Sequence, residues 1–249
     1  MVSATFRFYD SLNAFLPRER RGREITVPCA REATAKHMIE ALGVPHTEVE
    51  LLLVNGQSGS FEQLLADGDR VAAYPAFGLL DVAPLQRLRQ PPSGRARFVA
   101  DAHLGALARL LRMAGYDTLY DNGYHDDEIE RIAREEGRVL LTRDRELLKR
   151  RSVERGCYLH AIEPSAQLRE LFARLGLNRD MRAFSLCLHC NLPLRGVPRE
   201  AVLDKLPAQV ARAQVEFTTC DGCARVYWKG SHYERMRALL ADLAAPGLG

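Results

Sequence analysis

The sequence predicts a multidomain α/β and α+β chain: an N-terminal α+β module, a parallel-sheet α/β domain and a small cysteine-bearing tail. Three observations predict it. Roughly the first 75 residues read strand–strand–helix–strand–strand, residues 96–180 alternate strands with helices, and residues 181–249 carry two CxxC pairs. A length of 249 residues points the same way, because a single core rarely grows past about 250 residues.

The first module, residues 1–80, opens with strands at 4–9 (TFRFYD) and 23–27 (REITV), joined by the arginine-rich turn 17–22. A helix is expected at about 33–42, where Ala35, Met38, Ile39 and Leu42 recur at helical spacing. The strand ELLLVNG (50–56) runs into Asn55-Gly56, a turn signal, and RVAAYP (70–75) follows Asp67-Gly68-Asp69. That order suits a small sheet grasping one helix. Residues 81–95 hold three prolines, a glycine and three arginines, the composition of an extended, solvated linker.

From residue 96 to 180 the pattern is strict alternation. RFVA (97–100) leads into a helix at about 103–113, with Leu104, Leu107, Ala108 and Leu111 on one face and Gly115 just beyond it. DTLY (117–120) precedes a helix over 127–136, whose buried stripe is Ile129, Ile132 and Ala133 and whose stop is Gly137. RVLLT (138–142) precedes a short helix at about 145–151, and GCYLHAI (156–162) leads through Pro164 into a helix over 165–175. Alternation of this kind implies a parallel sheet covered on both faces.

Composition narrows the function classes. With 47% hydrophobic and 27% charged residues and a mean hydropathy of -0.22, the chain is not largely disordered. No apolar run approaches the ~20 residues needed to cross a bilayer, so no membrane role is expected. The opening MVSATFRFYDSL has no apolar signal core and reads directly as a strand, which makes the cytoplasm the default compartment. A net charge of +3 does not require a nucleic-acid partner, but permits one where charges are segregated.

Of the six cysteines, Cys29 and Cys157 are isolated, whereas Cys187-Leu-His-Cys190 and Cys220-Asp-Gly-Cys223 form two knuckles. Each knuckle brings two thiolates onto one ion, and two complete a tetrahedral site with four sulfurs, so zinc is the expected metal and its role structural. Short strands at 213–219 and 225–228 and a final amphipathic helix near 231–243 suit a zinc ribbon over 181–249. Disulfides and an iron–sulfur cluster are the alternatives. His189 and His232 read as surface histidines, given four cysteines. Tyr227 and Trp228 have two readings: packing against the final helix, with its Met236, Leu239, Leu240 and Leu243, or base stacking by an exposed ring.

Three aspartate sites occupy equivalent places in successive strand–helix units. Asp101 ends FVAD, Asp126 and Asp127 open the second helix, and Asp144 ends LLTRD. In an open parallel sheet ligands gather beyond the carboxyl ends of the strands, and carboxylates converging there can hold magnesium or manganese. Such ions activate water for in-line attack on a phosphodiester. Aspartate is equally a preferred helix N-cap, and Asp127-x-x-Glu130 has capping-box spacing, so spacing alone leaves both readings open. The segment RDRELLKRRSVER (143–155) is either a solvated helix face or a phosphate-tracking edge using Arg143, Lys149, Arg150 and Arg151.

The runs FVADAHLGALARLLRMAGYDTLYDN and HDDEIERIAREEGRVLLTRDRELLKRR resemble the Mut-seven C-terminal RNase domain family, a branch of the PIN-like nucleases. The resemblance extends over about residues 96–245, carried by LLTRD, the Asp126–Ala133 spacing and the leading D-x-x-L. It implies a PIN-like sheet over 96–180 and Mg- or Mn-dependent cleavage of RNA, single-stranded or structured. Asp101, Asp126 and Asp144 match the family's acidic positions, with Asp127 a neighbour able to replace Asp126. Residues 1–78, with LLLVNG and LADGDRVAAYP, resemble ubiquitin-like β-grasp proteins of the ThiS and MoaD sulfur-carrier kind. Those carriers end in an exposed Gly-Gly, whereas this chain reads YPAFGLLD and continues, so a docking or substrate-positioning role, with a possible protein partner, is expected instead. The rival readings are a non-catalytic RNA-binding scaffold whose aspartates only cap helices, and an adaptor acting through the β-grasp surface.

Overall fold

The computed structural model describes residues 2–76, 88 and 94–244. The expected linker at 81–95 lies, apart from Leu88, Gly94 and Arg95, outside the described residues. By packing, the chain forms two compact units, Met1–Arg95 with Asp126–His160, and Ala96–His125 with Ala161–Gly249. Residues 126–160 pack with the N-terminal module in this grouping.

In the first unit, β1 (Val2–Phe8), β2 (Ile25–Cys29), β3 (Leu51–Val54), β4 (Gln57–Ser58) and β5 (Arg70–Tyr74) form one sheet in the order β2-β1-β5-β3-β4. The central pair β1–β5 is parallel, with Phe6 opposite Val71, and the other pairs are antiparallel. Alternation along β1 buries Ala4, Phe6 and Phe8 on one face. The helix α1 (Ala35–Ala41) contributes Ala35, Met38 and Ile39 to the same core, and Thr34 caps it by accepting from the His37 amide at 3.2 Å. Asn55 and Gly56 both take positive φ, 51° and 80°, and turn β3 into β4 as a two-residue hairpin requires. This is the β-grasp arrangement. The two-residue β4 was not expected, since Gln57-Ser58 shows no apolar alternation.

The same unit holds α3 (Asp126–Glu136), β8 (Val139–Thr142), α4 (Arg145–Lys149) and β9 (Gly156–Tyr158), with β8 and β9 paired in parallel and Leu141 opposite Cys157. These elements pack on the β-grasp module through mixed contacts. Phe15 meets the Tyr158 ring edge-on, centroids 5.2 Å apart, and the Arg145 guanidinium lies over both rings. His46, buried, places Nδ1 2.7 Å from Glu40 Oε1 and Nε2 2.9 Å from the Val153 carbonyl. Glu48, also buried, accepts from the Tyr158 amide at 2.6 Å. Buried polar groups paired across a junction fix its register, because leaving any one unpaired is costly.

The second unit contains β6 (Phe98–Ala100), α2 (Gly105–Met113), β7 (Thr118–Leu119) and α5 (Pro164–Leu175). The strand β6 is buried throughout and pairs in parallel with β7. Gly115, at φ +86°, turns the chain out of α2; a Cβ there would stand 2.0 Å from the Arg182 carbonyl oxygen, so only glycine fits. Tyr116, fully buried, packs edge-on between Phe98 and Phe172. The tail adds β10 (Leu194–Val197), α6 (Ala208–Ala213), β11 (Phe217–Cys220), β12 (Val226–Trp228) and α7 (Ser231–Ala244), with an antiparallel ribbon ordered β10-β11-β12. The strand expected at 213–219 begins only at Phe217, and β10 and α6 carry too few apolar residues in period to have been read. No helix among the described residues is long and apolar enough to cross a membrane.

Candidate functional site

Four cysteines in the second unit form a group that could hold a metal ion. Cys187 and Cys190 lie before β10, Cys220 ends β11 and Cys223 lies on the turn between β11 and β12, so pairing of the ribbon strands brings the knuckles together. Their Sγ atoms all lie within 4.8 Å of one another, and Cys187 Sγ stands 3.7 Å from Cys223 Sγ. A tetrahedral ion with metal–sulfur bonds of about 2.3 Å requires sulfurs about 3.8 Å apart, so the donor set fits one soft or borderline ion. All six cysteines are free of disulfides.

Three further side chains shape this centre. The Tyr227 hydroxyl lies 3.1 Å from Cys187 Sγ. Burial pushes the Cys187 thiol up, but the hydrogen bonds from Tyr227 and from the backbone amides of Cys190 and His189 outweigh it and hold the group at about 6, favouring the thiolate that a metal needs. Arg112, on the buried face of α2, donates to the carbonyls of Thr118 at 2.9 Å, Leu188 at 3.1 Å and His189 at 2.7 Å. Asn191, at φ 63°, accepts from the Thr118 amide and donates to Asp117. The first knuckle is thereby bolted to α2 and β7.

The acidic residues are distributed as follows. Asp101, half-buried, follows β6 and holds the N-cap position of the 3-10 turn Ala102–Leu104, without a side-chain bond to that turn. In the first unit Asp126 and Asp127 open α3, exposed, and a single guanidinium gathers them. Arg150 donates to Asp127 at 2.5 Å, to Glu130 at 2.9 Å and to Asp126 at 3.1 Å. Its pKa is accordingly raised, by the bonds to Glu130 and Asp127 first. Asp144 is the N-cap of α4, accepting from the amides of Glu146 at 2.8 Å and Leu147 at 3.4 Å. Capping is therefore real at Asp144, while Glu130 serves Arg150.

A family model described as the Mut7-C RNAse domain matches residues 96–240, over half of the chain. The chain belongs to the Mut7-C RNase family. A second model, Mut7-C ubiquitin, matches residues 1–81, where the β-grasp sheet lies. No curated protein and no solved structure matches the chain.

The expected phosphate-tracking edge of this Mut7-C chain is only partly available. Arg150 is committed to three carboxylates, and Lys149 pairs with Glu146 at 2.8 Å. Arg143 and Arg151 are exposed, and Arg151 also lines a cavity of about 790 Å³ with residues of the β-grasp module. Sequence reading missed Arg112, Arg150 as the keeper of the acidic trio, and Tyr227 as a partner of the centre. A signal existed for Arg112, since it stands four residues after Ala108 on the apolar stripe, where a cation must find buried acceptors.

Proposed function

We propose that this chain is a Mg- or Mn-dependent ribonuclease that hydrolyses RNA phosphodiester bonds, with a structural zinc ion in the four-cysteine centre. The match of residues 96–240 to an RNase domain carries the reading. In this proposal Asp101, Asp126, Asp127 and Asp144 hold the divalent ions. The fit rests on donor chemistry: Asp126, Asp127 and Glu130 already converge on one positive charge, that of Arg150, and carboxylate oxygens are the ligands such hard cations prefer. When bound, the ion supplies Lewis-acid activation of water and of the phosphodiester.

The chain's own residues prepare that chemistry. Arg150 pairs with both Asp126 and Asp127 and offsets their mutual repulsion until substrate and ions arrive. Exposed Arg143 and Arg151 supply contacts to the RNA backbone, single-stranded or structured. Zinc ligated by four thiolates leaves no open position, so Cys187, Cys190, Cys220 and Cys223 shape the ribbon and hold no reactant. The domains follow the sequence reading, 1–80, 81–95, 96–180 and 181–249, with the β-grasp module a docking platform, first for residues 126–160 and then for a protein partner. Thiols kept for a metal suit the reducing cytoplasm.

The capping role of Asp144 favours a second reading, a non-catalytic RNA-binding or protein-interaction scaffold. Labelled single-stranded and structured RNAs, incubated with and without manganese, separate the two. Cleavage that needs manganese and disappears in the Asp101→Asn, Asp144→Asn double variant supports hydrolysis. Cleavage retained by that variant overturns the acidic assignment, and binding without cleavage establishes the scaffold.

A further inference from the structure

The second unit contains a cavity of about 740 Å³ on the face of the cysteine ribbon, in the size range of small-ligand pockets. Its wall combines Arg109 from α2, His189 from the first knuckle, Lys205, and Arg225, Tyr227 and Trp228 from the second knuckle and β12. No carboxylate lines it. Arg109, Lys205 and Arg225 are exposed, and none makes an ion pair among the described residues, unlike Lys149 and Arg150. Trp228 is half-buried, stacks on no other ring and has no partner for its indole N–H among the described residues. Gly230 keeps that edge clear, since a Cβ there would stand 3.0 Å from the indole nitrogen.

We infer that this pocket is a subsite for single-stranded RNA, in which a base stacks on Trp228 and the flanking phosphates sit among Arg109, Lys205 and Arg225. Cations without an ion pair among the described residues, around a half-buried aromatic ring, are the combination that single strands require: charge for the backbone and a π-surface for an unstacked base. The pocket is also rigidly placed. Arg112, one turn beyond Arg109 on α2, bonds the carbonyls of Leu188 and His189, so the helix that carries Arg109 and the knuckle that carries His189 form one frame. The subsite deepens the ribonuclease reading and rests on it for the identity of the nucleic acid. Zinc, when bound, would have a consequence for substrate, because the knuckle of Cys220 and Cys223 presents Arg225, Tyr227 and Trp228.

Trp228 is the chain's single tryptophan, so its emission reports the subsite directly. The experiment titrates the full-length Asp101→Asn, Asp144→Asn protein with a fluorescein-labelled single-stranded oligouridylate, following Trp228 emission and fluorescein anisotropy together. Saturable quenching that tracks the anisotropy is expected. The Arg109→Gln, Lys205→Gln, Arg225→Gln combination should weaken binding at least tenfold and lower the slope of log affinity against log salt by about 2, as loss of three phosphate contacts predicts. Trp228→Leu should weaken binding by roughly five- to a hundredfold, with Trp228→Phe recovering most of it. A duplex of the same length should quench Trp228 less, because its bases are already stacked. Anisotropy that rises while Trp228 emission stays constant, or a triple variant that binds like its parent, overturns the subsite. Two results separate this inference from the ribonuclease reading. Manganese-dependent cleavage by the otherwise wild-type chain with a silent Trp228 removes the subsite alone. Quenching by the oligouridylate with no cleavage of any RNA removes the nuclease and leaves the subsite standing.

Discussion

The Arg112 guanidinium donates to the His189 carbonyl at 2.7 Å, joining a helix of the α/β region to the turn between Cys187 and Cys190. A cation on the apolar stripe of α2 is costly unless acceptors surround it, and the carbonyls of Thr118, Leu188 and His189 do so. Burial lowers its pKa while the neighbouring cysteines Cys187 and Cys190 and Asp117 support the charge. The helix and the knuckle therefore specify each other.

Replacing Arg112 by Met keeps the volume and removes the donors. Stability should fall by about 3 kcal/mol, because one buried and two partly buried carbonyls lose a charged donor. Thermal unfolding and the rate of zinc release to a chromophoric chelator measure the two effects, and both should move. A variant with wild-type melting and wild-type release would show that Arg112 does not hold the knuckle.

Metal removal should act on the tail selectively. The ribbon strands β10–β12 are short, and among the described residues of the tail the buried apolar side chains are Cys187, Val202, Phe217, Cys220 and Leu240. Stripping zinc from the full chain should abolish amide protection at Leu194–Val197 and Phe217–Cys220 while the β-grasp strands keep theirs. Hydrogen exchange followed by mass spectrometry reads this, and one zinc ion per chain should appear in the chelator. Unchanged protection in the ribbon would remove zinc from the folding of the tail.

Asp144 separates capping from chemistry. Asparagine caps a helix almost as well as aspartate, whereas alanine forfeits about 1 kcal/mol. Asp144→Asn should melt like the wild type and yet lose manganese-dependent cleavage, and Asp144→Ala should lose both cleavage and stability. Calorimetry beside the cleavage assay gives the comparison. An asparagine variant that still cuts RNA would leave Asp144 only its structural role.

Arg150 makes the opposite case. Arg150→Gln leaves Asp126, Asp127 and Glu130 without the cation they share, and their repulsion should lower the melting temperature by ~3 °C in buffer passed over a chelating resin. Manganese should restore the loss, with a larger gain for the variant than for the wild type. Equal gains would mean that the trio does not bind the ion.

Much of this molecule was legible before folding. Val2–Phe8, Leu51–Val54 and Arg70–Tyr74 declare themselves by apolar runs, Asn55-Gly56 by its dihedral demand, and Cys187, Cys190, Cys220 and Cys223 by a spacing that fits few purposes. These are local signals, set by the chemistry of a few adjacent side chains. The Gln57–Ser58 strand and the Leu194–Val197 strand left no such trace, because pairing with a neighbour, not their own residues, makes them strands.

What the tertiary structure alone decided is which charges meet. From the sequence, Lys149, Arg150 and Arg151 form one basic run; in the fold, Arg150 turns to carboxylates 20 to 24 positions away and Lys149 to Glu146, while Arg109, Lys205 and Arg225, scattered over the chain, share one cavity with Trp228. Helical pattern and turn chemistry act over a handful of residues and can be read in order. Electrostatic partnership depends on distance in space, and only the packed chain sets that distance.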